Sequence, residues 1–182
     1  PYHRRMRRVV YSVAMSLDGY IAGPKGEIDW LSTDIGLDWG AFMARFDTVL
    51  MGRRTFEFAM GAGGGGDSSG LQTYVFSRTL KQAEHPNVMI VAESGGDAVR
   101  SLRTKRGKEI WLMGGGELFR TLLEEGVVDV IEVGVVPILL GAGIPFLPSL
   151  SRRVKLREPE VKQYGGGVVM LTYEVRSRRA RE

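Results

Sequence analysis

Two stretches decide the fold: TVLMGRRT at residues 48–55 and IWLMGGGELF at residues 110–119. Each runs a short apolar segment straight into glycine and then into residues that suit a helix, the order of a strand–turn–helix unit. Glycine at such a junction leaves the first-turn N–H groups of the helix accessible, and the helix dipole favours an anion there. If the two strands run parallel, both helix starts lie at one carboxyl edge of the sheet, where open α/β sheets bind ligands. A ligand with separated phosphates would touch both, and Arg53 and Arg54 would add fork-shaped, charge-assisted contacts to a terminal phosphate. Taken singly, such glycines turn the chain as often as they bind. The repeated layout, one copy carrying paired arginines, favours a ligand.

The same alternation extends outward. Val9–Ser16 reads as a buried strand ended by a turn at Asp18-Gly19, and Pro24, Gly26 and Asp29 mark a loop. Trp39, Phe42, Met43 and Phe46 fall at helical spacing and predict a helix over Asp38–Phe46. The rest predicts strands at Thr48–Met51, Thr73–Phe76, Val88–Val91, Ile110–Met113 and Val130–Val136, with helices at Arg54–Ala59, Asp97–Arg106 and Glu117–Glu125. Arg153–Tyr164 and Val168–Val175, joined across Gly165–Gly167, read as an antiparallel hairpin closing one edge. One α/β domain over residues 1–182 is expected, with a mixed, mostly parallel sheet and helices on both faces. Residues 61–70 (GAGGGGDSSG) formally contain G-x-G-x-x-G, but a helical segment precedes them and none follows, so they read as a mobile loop.

Composition removes several function classes. The chain of 182 residues has no cysteine and two histidines, His3 and His85, which excludes thiolate chemistry and poorly supplies a metal site or a Ser-His-Asp triad. No metal is expected, and the missing cysteine fits a reducing cytoplasm. The net charge of +4 sits at the ends: without the arginines of residues 1–8 and 176–182, and Glu182, 17 basic residues face 20 acidic ones. Solvated basic termini on a mildly acidic body argue against a nucleic-acid surface. Val127–Leu140 is too short and too charged to span a membrane.

VAMSLDGYIAG (13–23), VLMGRRTFE (49–57), YVFSR (74–78), IWLMGGGELF (110–119) and VVPILLGAGIPF (135–146) occur in unbroken order. Together they resemble the dihydrofolate reductase-like fold, a three-layer α/β/α architecture, and most of all the reductase domain of the bifunctional deaminase-reductase of riboflavin biosynthesis. The resemblance implies NADPH as cofactor, a small-molecule substrate and a homodimer. It places the nicotinamide at Ala14 and Ile21, with Asp18-Gly19 shaping the loop. It also implies phosphate contacts from Gly52, Arg53, Arg54 and Thr55, contact with the adenosine 2′-phosphate from Ser77 and Arg78, and a diphosphate turn at Gly115, Gly116, Glu117 and Leu118.

The proton donor stays open. Asp38 stands one helical turn before Phe42, the spacing that dihydrofolate reductases use for the carboxylate and a pocket phenylalanine, yet it equally suits a helix N-cap. Asp29 and Asp34 compete with it. Trp30, Phe42 and Met113 are the candidate substrate wall, although a tryptophan such as Trp30 is more often core than substrate platform and only its loop location keeps the pocket role open. The function expected is an NADPH-dependent reductase acting on a C=N or C=O group; the alternatives are a dihydrofolate reductase and a non-catalytic dinucleotide-binding protein. Dihydrofolate is expected to be a poor substrate, because Thr55–Phe76 holds no Arg or Lys to meet its glutamate carboxylate.

Overall fold

The computed structural model describes residues 6–61, 70–93 and 95–176. Its centre is β1 (Val9–Ser16), whose first four residues are buried. A strand flanked on both sides and covered on both faces must be apolar at nearly every position, and VVYSVAMS meets that need with β-branched and small residues. Parallel neighbours lie on either side of it: β6 (Glu109–Gly114), reached from Val9↔Ile110, and β7 (Val130–Val136), reached from Val10↔Val130. Beyond β6 come β3 (Phe46–Gly52), β4 (Gln72–Phe76) and β5 (Met89–Val91), all parallel. Beyond β7, β10 (Val169–Glu174) and β9 (Glu160–Gln163) run antiparallel and form the other edge. A separate antiparallel pair joins β2 (Tyr20–Ala22) to β8 (Ile144–Pro145).

Helices cover both faces. On one, α3 (Gly95–Thr104) and α4 (Gly116–Glu124) place Val99, Leu102, Phe119, Leu122 and Leu123 against Tyr11, Leu50, Ile110, Leu112 and Ile131. Tyr11 stacks on Phe119 at 3.8 Å between centroids, and its burial pushes the phenol well above its usual range. Each large side chain removed from water here contributes about 1.5–3 kcal/mol. The opposite face carries α1 (Trp39–Ala44) over Val10, Phe46 and Trp111, and α2 (Arg53–Ala59), whose Phe56 packs with Val49, Met51, Val75 and Val88. The architecture is the expected mixed α/β sheet.

Several boundaries differ from expectation. The first helix stops at Ala44 because Phe46 already begins β3, and Trp39 stays 46% exposed. The strand expected over Arg153–Tyr164 shrinks to β9, with a single bridge from Leu156 to Val175 before it; Pro159 removes a backbone donor just ahead of that strand. Strands β2 and β8 went unforeseen, being three and two residues long. Arg7 is no frayed arm: it is 8% exposed and donates to Asp47, Thr48 and the Lys108 carbonyl, while Arg8 pairs with Glu174. Residues 1–5 and 177–182 of the expected basic ends, and 62–69 of the expected glycine loop, lie outside the described residues. Among the described residues no helix is long and apolar enough to cross a membrane.

Candidate active site

The two glycine turns come together at the carboxyl edge of the sheet. Strands β3 and β6 are parallel neighbours with Met51 opposite Gly114. Gly52 caps α2 and Gly115 caps α4 in extended conformation, with no side chain bonded to either cap. A Cβ placed on Gly52 would meet Gly114 O and Gly115 N at 3.9 Å, and one on Gly115 would meet Thr55 Oγ1 at 3.7 Å. The turns therefore touch, with the Gly114–Gly115 backbone and the side chains of Leu118 and Thr55 at their contact. The Gly114–Gly115 peptide is cis. Gly116 is another case: its Cβ would fall 2.6 Å from the Pro145 carbonyl, so glycine there lets α4 dock under the segment after β8.

Around this edge the expected phosphate ligands differ in availability. Arg53 binds Glu57 at 2.8 Å and Thr79 Oγ1 at 2.9 Å. Arg54 and Arg78 are exposed and form no ion pair among the described residues. Ser77 is buried, and its hydroxyl accepts from the N–H groups of Thr79 (3.2 Å) and Leu80 (3.1 Å), so it holds its own turn rather than facing outward. Glu117 pairs with Arg120 at 2.8 Å, and Leu118 stands beside Gly52.

At the end of β1, Ala14 lies opposite Gly134 in the sheet. The small residues Ser12, Ala14 and Ser16 share one side of β1, since alternate residues of a strand do, and Gly134 leaves the neighbouring position without a side chain. A Cβ there would meet the Met170 methyl at 3.6 Å and Val168 at 3.8 Å, so Met170 covers the position and Ala14 is the part-buried small residue beside it. Asp18 ties the adjoining loops together: it accepts from the Ser16 hydroxyl (2.7 Å) and from the N–H groups of Leu140 (3.0 Å) and Gly141 (2.8 Å). The Ser16 hydroxyl, then these two amides, hold its carboxyl below the usual range. Tyr20 N–H donates to Ser16, and Phe146 N–H to the Gly19 carbonyl, so Ile21 on β2 is held from both sides. The turn at Asp18-Gly19 was legible in the sequence; its partner segment was not.

A cavity of about 300 Å³ opens between α1 and the β9 edge. Asp38, Ala41, Phe42 and Arg45 line it from one helical face, at i, i+3, i+4 and i+7, and Lys162 and Tyr164 close the other side. Asp38 is exposed and is the N-cap of α1: its Oδ1 accepts from Ala41 N–H at 2.9 Å. It thus caps the helix and lines the cavity at once. Phe42 packs edge-on to Phe46 and Trp111, both at 5.3 Å.

Trp30 and Met113 do not join this wall. Trp30 bonds the Glu27 carbonyl from its own loop at 3.2 Å, and Met113 packs with the Met51–Phe56 cluster. Asp29 and Asp34 are exposed in the loop before α1 and do not line the cavity. Arg45, which lines the cavity, and the buried Glu132 that binds it at 2.7 Å were not singled out in the sequence. Two signals were present: Arg45 continues the Asp38–Phe42 face, and Glu132 is a lone charge in the apolar strand VIEVGVV. No group of three or more metal-binding side chains occurs among the described residues.

An eight-stranded mixed sheet between helices, with touching glycine turns at its carboxyl edge, defines a dihydrofolate reductase-like reductase domain. The chain belongs to the RibD C-terminal domain family, which it matches over residues 7–170. It is 32% identical over 165 residues to the uncharacterized protein YwjB of Bacillus subtilis, covering 89% of this chain and 95% of the relative. A Shewanella sp. PV-4 crystal structure, provisionally assigned to riboflavin biosynthesis, superposes with a TM-score of 0.79 at 26% identity, over 94% of this chain and 99% of that one. Enterococcus faecalis dihydrofolate reductase, solved in complex with NADP(H) and RAB-propyl, shares the fold with a TM-score of 0.68 at 20% identity, over 93% and 97% of the two chains.

Proposed function

We propose that this chain is an NADPH-dependent oxidoreductase that reduces a C=N or C=O group of a small heterocyclic or ribosylated substrate, similar to the reductase step of riboflavin biosynthesis. The observation that carries this reading is the contact between the two glycine turns, Gly52 beside Gly114 and Gly115, at the ligand-binding edge of the sheet. The residues present fit a dinucleotide phosphate. Backbone at Gly52 and Gly115 is approachable, α4 begins at that edge, and Arg54 and Arg78 stand without carboxylate partners among the described residues. NADPH, when bound, supplies the hydride.

The protein's own contribution is placement and one proton. The α4 N-terminus and the glycine backbone hold the diphosphate; Arg54 and Arg78, joined by Arg53 if it leaves Glu57, take the 2′-phosphate. Ala14, small and part-buried near the end of β1, seats a flat ring. Asp38, whose second oxygen accepts no hydrogen bond among the described residues, supplies the proton from the cavity side. With no cysteine and no H-x-E motif, these 182 residues cannot assemble a zinc deaminase centre. Because Thr55–Phe76 lacks a cation for the folate tail, a smaller heterocycle is the better substrate. The test is a fluorescence titration with NADPH, followed by NADPH oxidation with a reduced pterin, a ribosylaminopyrimidine phosphate and simple carbonyls. Tight NADPH binding with turnover of one of them supports the reading; tight binding with no turnover of any makes the chain a binding module.

A further inference from the structure

We infer that Arg45 is the specificity-determining donor of the α1 cavity and that the buried Glu132 is the positioning residue that aims it, so that the cavity selects a ring presenting a neutral carbonyl oxygen. This rests on the reductase reading and narrows its substrate. A guanidinium has five N–H donors, and four contacts to protein are made here. Nε reaches Glu109 Oε2 at 3.2 Å; Nη2 reaches Glu109 Oε2 at 3.1 Å and Glu132 Oε1 at 2.7 Å; Nη1 reaches Glu132 Oε2 at 3.1 Å. Both hydrogens of Nη2 are used and one of Nη1 is left, on a side chain that lines the cavity with Asp38 and Phe42.

That N–H cannot wander. The Glu132 side chain is 9% exposed and fixed within β7, and the guanidinium carbon lies 5.0 Å from the Phe46 ring centre and 5.8 Å from that of Phe42. A donor locked between two carboxylates and two rings is preorganised for one acceptor position. The local charge decides what the acceptor is. Glu109 and Glu132 over-neutralise Arg45, and Asp38 adds another negative charge against the exposed Lys162, so a phosphate or carboxylate is disfavoured and an uncharged oxygen is not. Glu132 stands opposite Ser12, two residues before Ala14 on the same face of β1, so a ring seated at Ala14 lies about 7 Å along the strands from the carboxylate that holds Arg45. The Asp38 carboxylate on the same wall suits a ring N–H beside that carbonyl.

The experiment measures binding of two ring probes by calorimetry to the protein saturated with oxidised NADP, which cannot reduce them: 7,8-dihydropterin, which carries the ring carbonyl, and 2,4-diamino-7,8-dihydropteridine, which replaces it with an amino group. The native protein is expected to prefer the oxo ring by about tenfold or more, the value of one hydrogen bond from a charged donor. Arg45→Met combined with Glu132→Leu removes the charge pair together and avoids stranding a buried carboxylate. It is expected to abolish the preference while the NADPH dissociation constant stays within about twofold, a split that general loosening of the fold would not give. Glu132→Gln fills the same space and is expected to weaken the preference severalfold, providing a second route should the double variant not fold. An unchanged preference in either folded variant, or none in the native protein, overturns the inference and leaves the reductase reading standing. Failure of the native protein to bind NADPH overturns both.

Discussion

The glycine edge and the α1 cavity recognise by opposite means. At the edge, backbone of Gly52 and Gly115 forms the surface, and Arg54 and Arg78 wait without partners among the described residues. In the cavity, Arg45 is already held by Glu109 and Glu132, and Asp38 is already bonded to its own helix. Burial opposes the Arg45 charge, and Glu132 followed by Glu109 outweighs that opposition, leaving the guanidinium more firmly protonated than usual. Unpaired cations on open backbone give affinity for a polyanion, with strong salt dependence. Prepaid charge pairs give direction instead, since only the donor left over can choose a ligand.

The comparison can be broken first within the glycines themselves. Gly116→Ala is expected to have the largest effect on stability, because a methyl 2.6 Å from the Pro145 carbonyl forces α4 away. The loss should be about 1–3 kcal/mol, read as a lower denaturation midpoint, where alanine within an ordinary helix would be stabilising. Arg54→Ala is expected to leave stability unchanged and to weaken NADPH by about ten- to hundredfold, with NADH nearly unaffected. Gly52→Ala sharpens the contrast, since its methyl meets nothing closer than 3.9 Å. The fold should survive within about 0.5 kcal/mol while NADPH affinity falls severalfold, as the methyl occupies the approach to the Gly114–Gly115 backbone. Loss of stability without loss of affinity would make Gly52 a packing glycine like Gly116.

The smallest effect concerns the clasp between the turn after β1 and the Leu140–Gly141 segment. Asp18 is held below its ordinary value by Ser16 and by the amides of Leu140 and Gly141. Its contribution is therefore present above the unfolded carboxylate value and lost as pH falls through the lower folded one, below about pH 4. Asp18→Asn is expected to flatten that acid limb of the denaturation midpoint while changing it only slightly at neutral pH. An unchanged acid limb would show that the clasp does not bear on stability.

The edge was legible in the sequence because each of its parts is contiguous: strand, glycine and helix start occur together in TVLMGRRT and IWLMGGGELF. The cavity draws on α1, β7 and the β9 strand, distant in sequence, and a partner such as Glu132 is found only once β7 is placed beside β1. Ser77 shows a further limit. The resemblance sets it beside a phosphate, and only the structure shows that its oxygen also accepts from the Thr79 and Leu80 amides. The two-residue β8 carries no periodic signal, and the first helix was overextended because Phe46 keeps helical spacing while belonging to a strand.

The most direct test of the central claim is the pair of dissociation constants for NADPH and NADH, measured side by side at moderate salt on the native chain. Arg54 and Arg78 would converge on the one phosphate that distinguishes the cofactors, so NADPH should bind tighter by about one to two decades. Equal constants, or no binding of either, would contradict it.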